Sequence, residues 1–165
     1  MPVSDQGVTC ERYMLIPRVL IFITRGSRIL LLRGAPTKHL WANRYNGIGG
    51  HVERGEDILT AARRELMEEA GLSTDLWLCG TLVVETDKNP GIGIYVFTGE
   101  SKQGEPTPTE EGTLEWVDFH KVVDLPCVED LAVLIERIRI MKRADPPFSA
   151  RSYYDANNKL LVKFA

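Results

Sequence analysis

Three glutamates lie close together in one stretch of the chain, at positions 65, 68 and 69. If this stretch is helical, residues at i, i+3 and i+4 share one face, and the carboxylates of Glu65, Glu68 and Glu69 can converge on one point. Carboxylate oxygens suit a hard divalent cation such as Mg²⁺, which keeps part of its water shell and bridges substrate phosphates. The spacing therefore predicts a metal-dependent enzyme.

The apolar residues of the same stretch support a helix with one buried face. On a wheel of about 100° per residue, they form a single stripe. The stripe consists of Ile58, Ala62, Leu66 and Ala70. Glu69 falls at its edge, where a carboxylate is costly unless a cation or hydrogen bonds compensate it. The alternative interpretation, a solvated acidic helix face, would place the glutamates away from the stripe.

The ends of this helix can also be predicted. Asp57 is a suitable N-cap, because its carboxylate can accept hydrogen bonds from the first free backbone N–H groups. Gly71 is a suitable C-terminal cap. Upstream, Gly47-Ile48-Gly49-Gly50 would let the backbone pass close to a ligand, although an ordinary turn is the alternative.

The whole region resembles the signature of the Nudix family, the Nudix box, at every specified position. The matching residues read Gly50-x5-Glu56-x7-Arg64-Glu65-Leu66-x-Glu68-Glu69-x-Gly71-Leu72. The resemblance implies a mixed α/β/α sandwich and Mg²⁺-dependent hydrolysis of a diphosphate linkage, with Mn²⁺ able to substitute. A non-catalytic nucleotide-sensing module is the rival function, since some domains with this signature have lost activity.

The resemblance also implies roles for single residues. A carbonyl near Gly49 would add a ligand to the metal bound by Glu65, Glu68 and Glu69. Arg64 would pair with Glu56 and brace the loop against the helix, although an i, i+4 pair between Arg64 and Glu68 is equally consistent with the sequence.

Two glutamates are candidates for the general base. Relatives assign this role to different glutamates, and Glu68 comes first here. The alternative is Glu111, in the region where many relatives place a further carboxylate, and Glu111 could equally be a solvated surface residue.

Substrate binding is predicted from weaker similarities. Asn46, just before the glycine run, is similar to the residue that contacts the base in the MutT-like branch acting on oxidised-purine nucleoside triphosphates, such as 8-oxo-dGTP. Glu129 and Asp130 resemble an acidic pair that recognises the purine edge in that branch, but an acidic pair that caps a helix is the alternative. Arg33 is a further candidate. Nucleotide sugars and dinucleotides stay open as substrates.

Composition favours one domain over residues 1–165, with a core of about 11–143 and a C-terminal extension over 144–165. The chain has 165 residues, of which 44% are hydrophobic, and a net charge of −3. This charge argues against binding long nucleic acid, and the apolar runs are too short to span a membrane. Cys10, Cys79 and Cys127 lack a metal-binding or disulfide spacing, which suits a reducing compartment, and we expect a cytoplasmic protein. The resemblance implies a small nucleotide as its partner.

Strand and helix patterns complete the prediction. Alternating apolar residues, turn residues and a second helical periodicity mark the remaining elements. The predicted elements are strands Pro17–Thr24, Arg28–Arg33, Leu76–Glu85, Gly91–Gly99 and Thr113–Asp118, helix Val128–Lys142, and a C-terminal hairpin of Phe148–Tyr154 and Lys159–Phe164. The hairpin could complete a sheet edge, form a homodimer contact or cover the active site, and edge completion is favoured.

Overall fold

A mixed β-sheet with a helix on each face organises the chain. The computed structural model describes residues 6–7, 11–37, 39–107 and 109–165. The strands are β1 (Leu15–Arg25), β2 (Arg28–Gly34), β3 (Tyr45–Asn46), β4 (Trp77–Val84), β5 (Gly91–Glu100), β6 (Gly112–Asp118), β7 (Phe148–Tyr154) and β8 (Leu160–Phe164). The helices are α1 (Ile58–Ala70) and α2 (Leu131–Arg139), with a 3₁₀ helix over Phe119–Asp124. The strand order is β3-β2-β1-β5-β4-β7-β8. The remaining strand, β6, lies off this path and pairs with β2 along its whole length in antiparallel orientation.

β1 lies in the middle of the sheet and supplies both hydrophobic layers. Ile21 and Ile23 pack with α1, whereas Phe22 packs with α2 on the opposite face. This alternation follows from the two-residue repeat of a strand. Both faces of β1 are covered by helices, as is usual for a strand that runs parallel to a neighbour, here β5. The predicted α/β/α sandwich is confirmed.

α1 begins and ends where the sequence predicts. The Asp57 side chain accepts hydrogen bonds from the backbone N–H groups of Leu59 and Thr60, at 2.9 and 3.0 Å. These bonds satisfy donors that have no partner inside the helix. Gly71 ends the helix in the left-handed region, with φ of 65°, and its N–H donates to the carbonyl of Met67.

α2 is shorter than the predicted helix. It begins only at Leu131, because the preceding segment is engaged with β3. The N–H of Tyr45 donates to the carbonyl of Pro126, and the N–H of Val128 donates to the carbonyl of Tyr45, each at 3.0 Å. This β-type pairing uses the backbone groups that a longer helix would need.

The C-terminal hairpin completes the sheet edge, which is the role that the sequence favours. β7 runs parallel to β4, and β8 pairs with β7 in antiparallel orientation. The Phe148 ring packs edge-on against Phe164, with centroids 5.4 Å apart, and covers Gly80, where any Cβ would overlap it. The hairpin is therefore part of the hydrophobic core. In the described part of the chain, neither helix has the length and apolarity that crossing a bilayer demands.

Candidate active site

Arg64 links three of the predicted glutamates to the loop before the helix. Its Nε and Nη2 donate to the two carboxylate oxygens of Glu56, at 3.0 and 3.1 Å. Its Nη1 donates to Glu65 at 2.8 Å and to Glu68 at 3.0 Å, and Nη2 also reaches the carbonyl of His51 at 3.0 Å. The predicted bracing pair with Glu56 and the alternative pair with Glu68 therefore both form.

The ionisation of this network follows from its contacts. Hydrogen bonds to Glu56 and then to Glu65 raise the pKa of Arg64. The hydrogen bond from Arg64 lowers the pKa of Glu56 below its ordinary value. A bidentate contact between a guanidinium and a carboxylate fixes both orientation and charge. Arg64 therefore stays a cation and Glu56 an anion throughout the neutral range.

Glu65 and Glu69 are the buried carboxylates of α1. They are 9% and 8% exposed, on the side of the helix that faces the sheet and the glycine loop. Glu69 Oε2 accepts a hydrogen bond from the N–H of Gly49 at 3.1 Å. The Glu65 carboxylate lies against Gly50, at the place a side chain would occupy. The predicted position of Glu69 at the edge of the buried stripe is thus observed.

Glu68 is placed differently. Its side chain is 59% exposed and is held by Arg64, outside the cavity described below. Within residues 6–7, 11–37, 39–107 and 109–165, no three His, Cys, Asp or Glu side chains form a preassembled metal cluster. The structure therefore brings Glu65 and Glu69, but not Glu68, to the cavity.

A cavity of about 700 Å³ opens beside these carboxylates. Gly49, Gly50, Glu65 and Glu69 line one part of it, and Glu111 also contributes to the lining. This volume is within the range of pockets that hold drug-sized ligands or cofactors. The carboxylates therefore border a space large enough for a nucleotide.

A second part of the cavity lies on the other face of the sheet. Its apolar wall includes Leu20, Val84, Ile94 and Val128, side chains that pack with the α2 layer. Tyr154 and Leu160 from the C-terminal hairpin also line the cavity. The hairpin therefore completes the sheet edge and forms part of the cavity wall.

Three of the four predicted substrate residues line the cavity. These are Asn46, Glu129 and Asp130. Asn46 Oδ1 accepts a hydrogen bond from the N–H of Gly47 at 2.8 Å, which orients the side chain. Asp130 precedes α2 without a side-chain capping bond, and burial, with the charge of Glu129 adding to it, raises the pKa of Asp130.

Arg33 does not line the cavity. Its guanidinium lies 6.0 Å from the centroid of the Tyr45 ring, and the Tyr45 hydroxyl donates to Glu115 at 2.8 Å. Arg33 is exposed at the end of β2. The structure therefore separates Arg33 from the other predicted substrate residues.

Several cavity residues were not predicted. Arg18, Arg44, His51 and Glu53 line the cavity, but none of them stands at a specified position of the Nudix box. Arg18 could have been noticed, because it is a charged residue at the start of an otherwise apolar strand. Nothing in the local sequence distinguishes the other three, which reach the cavity through the tertiary fold.

The donors present fit a divalent cation. Mg²⁺ is usually held by one or two carboxylates together with water and substrate phosphates, rather than by a closed protein cage. Glu65 and Glu69 are buried carboxylates on one side of the cavity, next to the glycine loop with its backbone carbonyls. These carboxylate and carbonyl oxygens are the ligand type that a hard cation prefers.

Comparisons with known sequences and structures identify proteins that this chain resembles. A family model for the NUDIX domain matches residues 14–138. Proteins named oxidized purine nucleoside triphosphate hydrolase from Danio rerio and Mus musculus are each 34% identical over 105 residues. That segment covers 62% of this chain and 66% of each relative, just under two thirds of their length.

The fold is shared with a solved structure as well. A MutT protein from Bacillus halodurans superposes with a TM-score of 0.75 at 22% sequence identity, covering 91% of this chain and 97% of that chain. At this identity, the likeness is one of fold. The family model spans most of the chain, from the start of β1 into α2, including the glutamates, glycine loop and arginine described above. This chain therefore belongs to the Nudix family.

Proposed function

We propose that this protein is a Mg²⁺-dependent pyrophosphohydrolase that cleaves a nucleoside triphosphate into a nucleoside monophosphate and pyrophosphate. The observation that carries the proposal is the position of Glu65 and Glu69, two buried carboxylates that line a nucleotide-sized cavity. The names of the relatives from Danio rerio and Mus musculus support an oxidised purine as the base.

Glu65, Glu69 and the carbonyl of Gly49 are the proposed metal ligands. When bound, the cation neutralises diphosphate charge and lowers the pKa of coordinated water. The chain itself keeps both carboxylates in place: Arg64 donates to Glu65, and the Gly49 N–H donates to Glu69. Arg64 and Glu56 act as positioning residues, because they hold the loop against the helix without lining the cavity.

On the sequence alone, Glu68 ranks first as the general base and Glu111 second. From the positions of the two side chains, we propose the reverse order, with Glu111 accepting the proton of the attacking water and Glu68 as the alternative. Glu111 lines the cavity, whereas Glu68 lies outside it. A general base must come within hydrogen-bond reach of the proton that it removes. Comparing Glu111→Gln with Glu68→Gln distinguishes the two: the variant of the true base should lose kcat by about 10²- to 10⁴-fold.

The experiment is a hydrolysis assay over a panel of nucleoside triphosphates, oxidised-purine triphosphates, dinucleotides and nucleotide sugars with Mg²⁺ or Mn²⁺. We expect pyrophosphate release from at least one triphosphate. Glu69→Gln should abolish the release while circular dichroism stays unchanged. Glu136→Gln is the control, because Glu136 lies on the exposed face of α2 and pairs with Arg139.

Two other outcomes would contradict the proposal. Turnover of dinucleotides or nucleotide sugars alone would replace the triphosphate as substrate. Nucleotide binding without turnover across the whole panel would identify a non-catalytic nucleotide-sensing module.

We also propose a cytoplasmic location and keep the homodimer as a prediction. Cys79 and Cys127 are free thiols, which suits a reducing compartment. A fluorescent fusion followed by cell fractionation tests the compartment, and a secreted or membrane-bound fraction would contradict it. Light scattering after gel filtration tests the dimer, and a monomer at micromolar concentration would contradict that prediction.

A further inference from the structure

Arg18 brings an unpaired positive group to the cavity. It belongs to β1, where side chains alternate between the two faces of the sheet, so Arg18 projects on the same side as Leu20 and Phe22. It lines the cavity, and its Nε is buried with no hydrogen-bond partner among the residues that the structure describes. The proposed function uses no group at this position.

A buried donor without a partner is unfavourable, so Arg18 is better explained by a ligand than by the fold alone. A guanidinium has five N–H donors and no acceptor, and it stays protonated. A ligand that satisfies it must therefore present acceptor atoms. The apolar side chains of Leu20 and Ile94 line the same cavity and reduce access of water, which strengthens a hydrogen bond made there.

The position of Arg18 favours the base of the nucleotide over its phosphates. The proposed metal ligands Glu65 and Glu69 lie on α1, which packs on the face of β1 that carries Ile21 and Ile23. Arg18 projects from the opposite face, where the α2 layer lies. A phosphate bound by metal at α1 would leave the base of the same nucleotide to extend toward this second face.

The polar groups of the cavity then distinguish between bases. Glu129 and Asp130 can accept hydrogen bonds, and Arg18 can only donate them. Guanine, whether or not it is oxidised at C8, carries the acceptor O6, to which an arginine N–H can donate. Adenine has an amino group in place of O6, which would oppose the guanidinium.

We infer that Arg18 is a specificity-determining residue that donates to the O6 edge of a guanine-type base. This inference rests on the proposed function and names its substrate class more closely. The test measures binding of GMP, AMP and pyrophosphate by calorimetry without metal, so that it does not depend on turnover. Hydrolysis of GTP and ATP is measured in parallel.

We expect the unmodified protein to bind GMP more tightly than AMP. Arg18→Gln should weaken GMP binding by about 10- to 100-fold and change the binding of AMP and pyrophosphate by less than about threefold. Arg18→Lys keeps the charge and should restore part of the affinity for GMP. The matched control is Arg139→Gln, an exposed arginine on α2 outside the cavity, which should bind like the unmodified protein.

Three results would overturn the inference. Arg18→Gln could leave GMP binding unchanged, or it could weaken GMP and AMP equally, or it could chiefly weaken pyrophosphate, which would make Arg18 a phosphate ligand. In each case, continued hydrolysis of a triphosphate by the unmodified protein would leave the proposed function standing. Failure of the unmodified protein both to bind and to hydrolyse any nucleotide would overturn both proposals. Circular dichroism and the melting temperature of both Arg18 variants show whether they fold.

Discussion

The carboxylate of Glu65 occupies the space that a side chain on Gly50 would fill. A Cβ atom at Gly50 would stand 2.6 Å from the carboxyl carbon of Glu65, closer than real Cβ contacts come. Glycine at this position lets the loop backbone and the helix carboxylate approach each other closely. Two elements separated in sequence therefore meet at the proposed metal site.

Gly50→Ala should displace the Glu65 carboxylate and lower activity more than stability. The clash is with the end of a side chain that can rotate away, so we expect the free energy of unfolding to fall by no more than about 1 kcal/mol. A displacement of about 1 Å near the reacting groups should lower kcat by about 100-fold. Steady-state kinetics and urea unfolding measure the two effects.

Gly93→Ala is the control for Gly50→Ala. A Cβ there would meet only the flexible Leu15 side chain, at 3.3 Å. This variant should keep its activity. Full activity of Gly50→Ala would show that the contact between loop and carboxylate is not required.

Arg64→Ala should destabilise the protein by about 2 kcal/mol, because it removes charge-assisted hydrogen bonds to Glu56 and Glu65 in a partly buried network. Arg64→Lys should recover only part of this loss, since an ammonium group cannot make the bidentate contact with Glu56. Urea unfolding measures both. Arg63→Ala is the control on the exposed side of the same helix, and equal effects at both positions would contradict the assigned role of Arg64.

Phe148→Ala should lower the free energy of unfolding by about 3 kcal/mol. The ring is 5% exposed, covers Gly80 and packs against Phe164. Thermal and urea unfolding measure the loss. Ile140→Ala, at a position that is 64% exposed, should change stability by less than about 0.5 kcal/mol. Unchanged stability of Phe148→Ala would mean that the C-terminal hairpin is not part of the cooperative core.

Asp130→Asn should raise the melting temperature at pH 7. Burial raises the pKa of Asp130 in the folded protein, so the stabilising contribution is present below the unfolded pKa and is lost as pH rises through the folded pKa. The amide removes this dependence, and the gain should disappear below about pH 3, where the carboxyl is protonated in both states. Asp124→Asn, at an exposed position, is the control, and a gain that persists in acid would contradict the assignment.

Local patterns in the sequence were sufficient to predict most helices and strands and to place carboxylates on α1. The apolar stripe, the Asp57 cap and the Gly71 cap are encoded within one stretch, because helix periodicity and capping depend on residues a few positions apart. The buried position of Glu69 follows from the same periodicity. The resemblance to the Nudix box added the pairing of Arg64 with Glu56, which the structure confirms.

Only the tertiary structure decided which residues share a cavity. Arg18, Tyr154 and the carboxylates of α1 are far apart in sequence and meet because β1, the C-terminal hairpin and α1 pack on one sheet. The same packing leaves Glu68 and Arg33 outside the cavity. Spacing along a chain specifies the direction of a side chain within its own element, whereas the crossing of strands and helices specifies what lies opposite it.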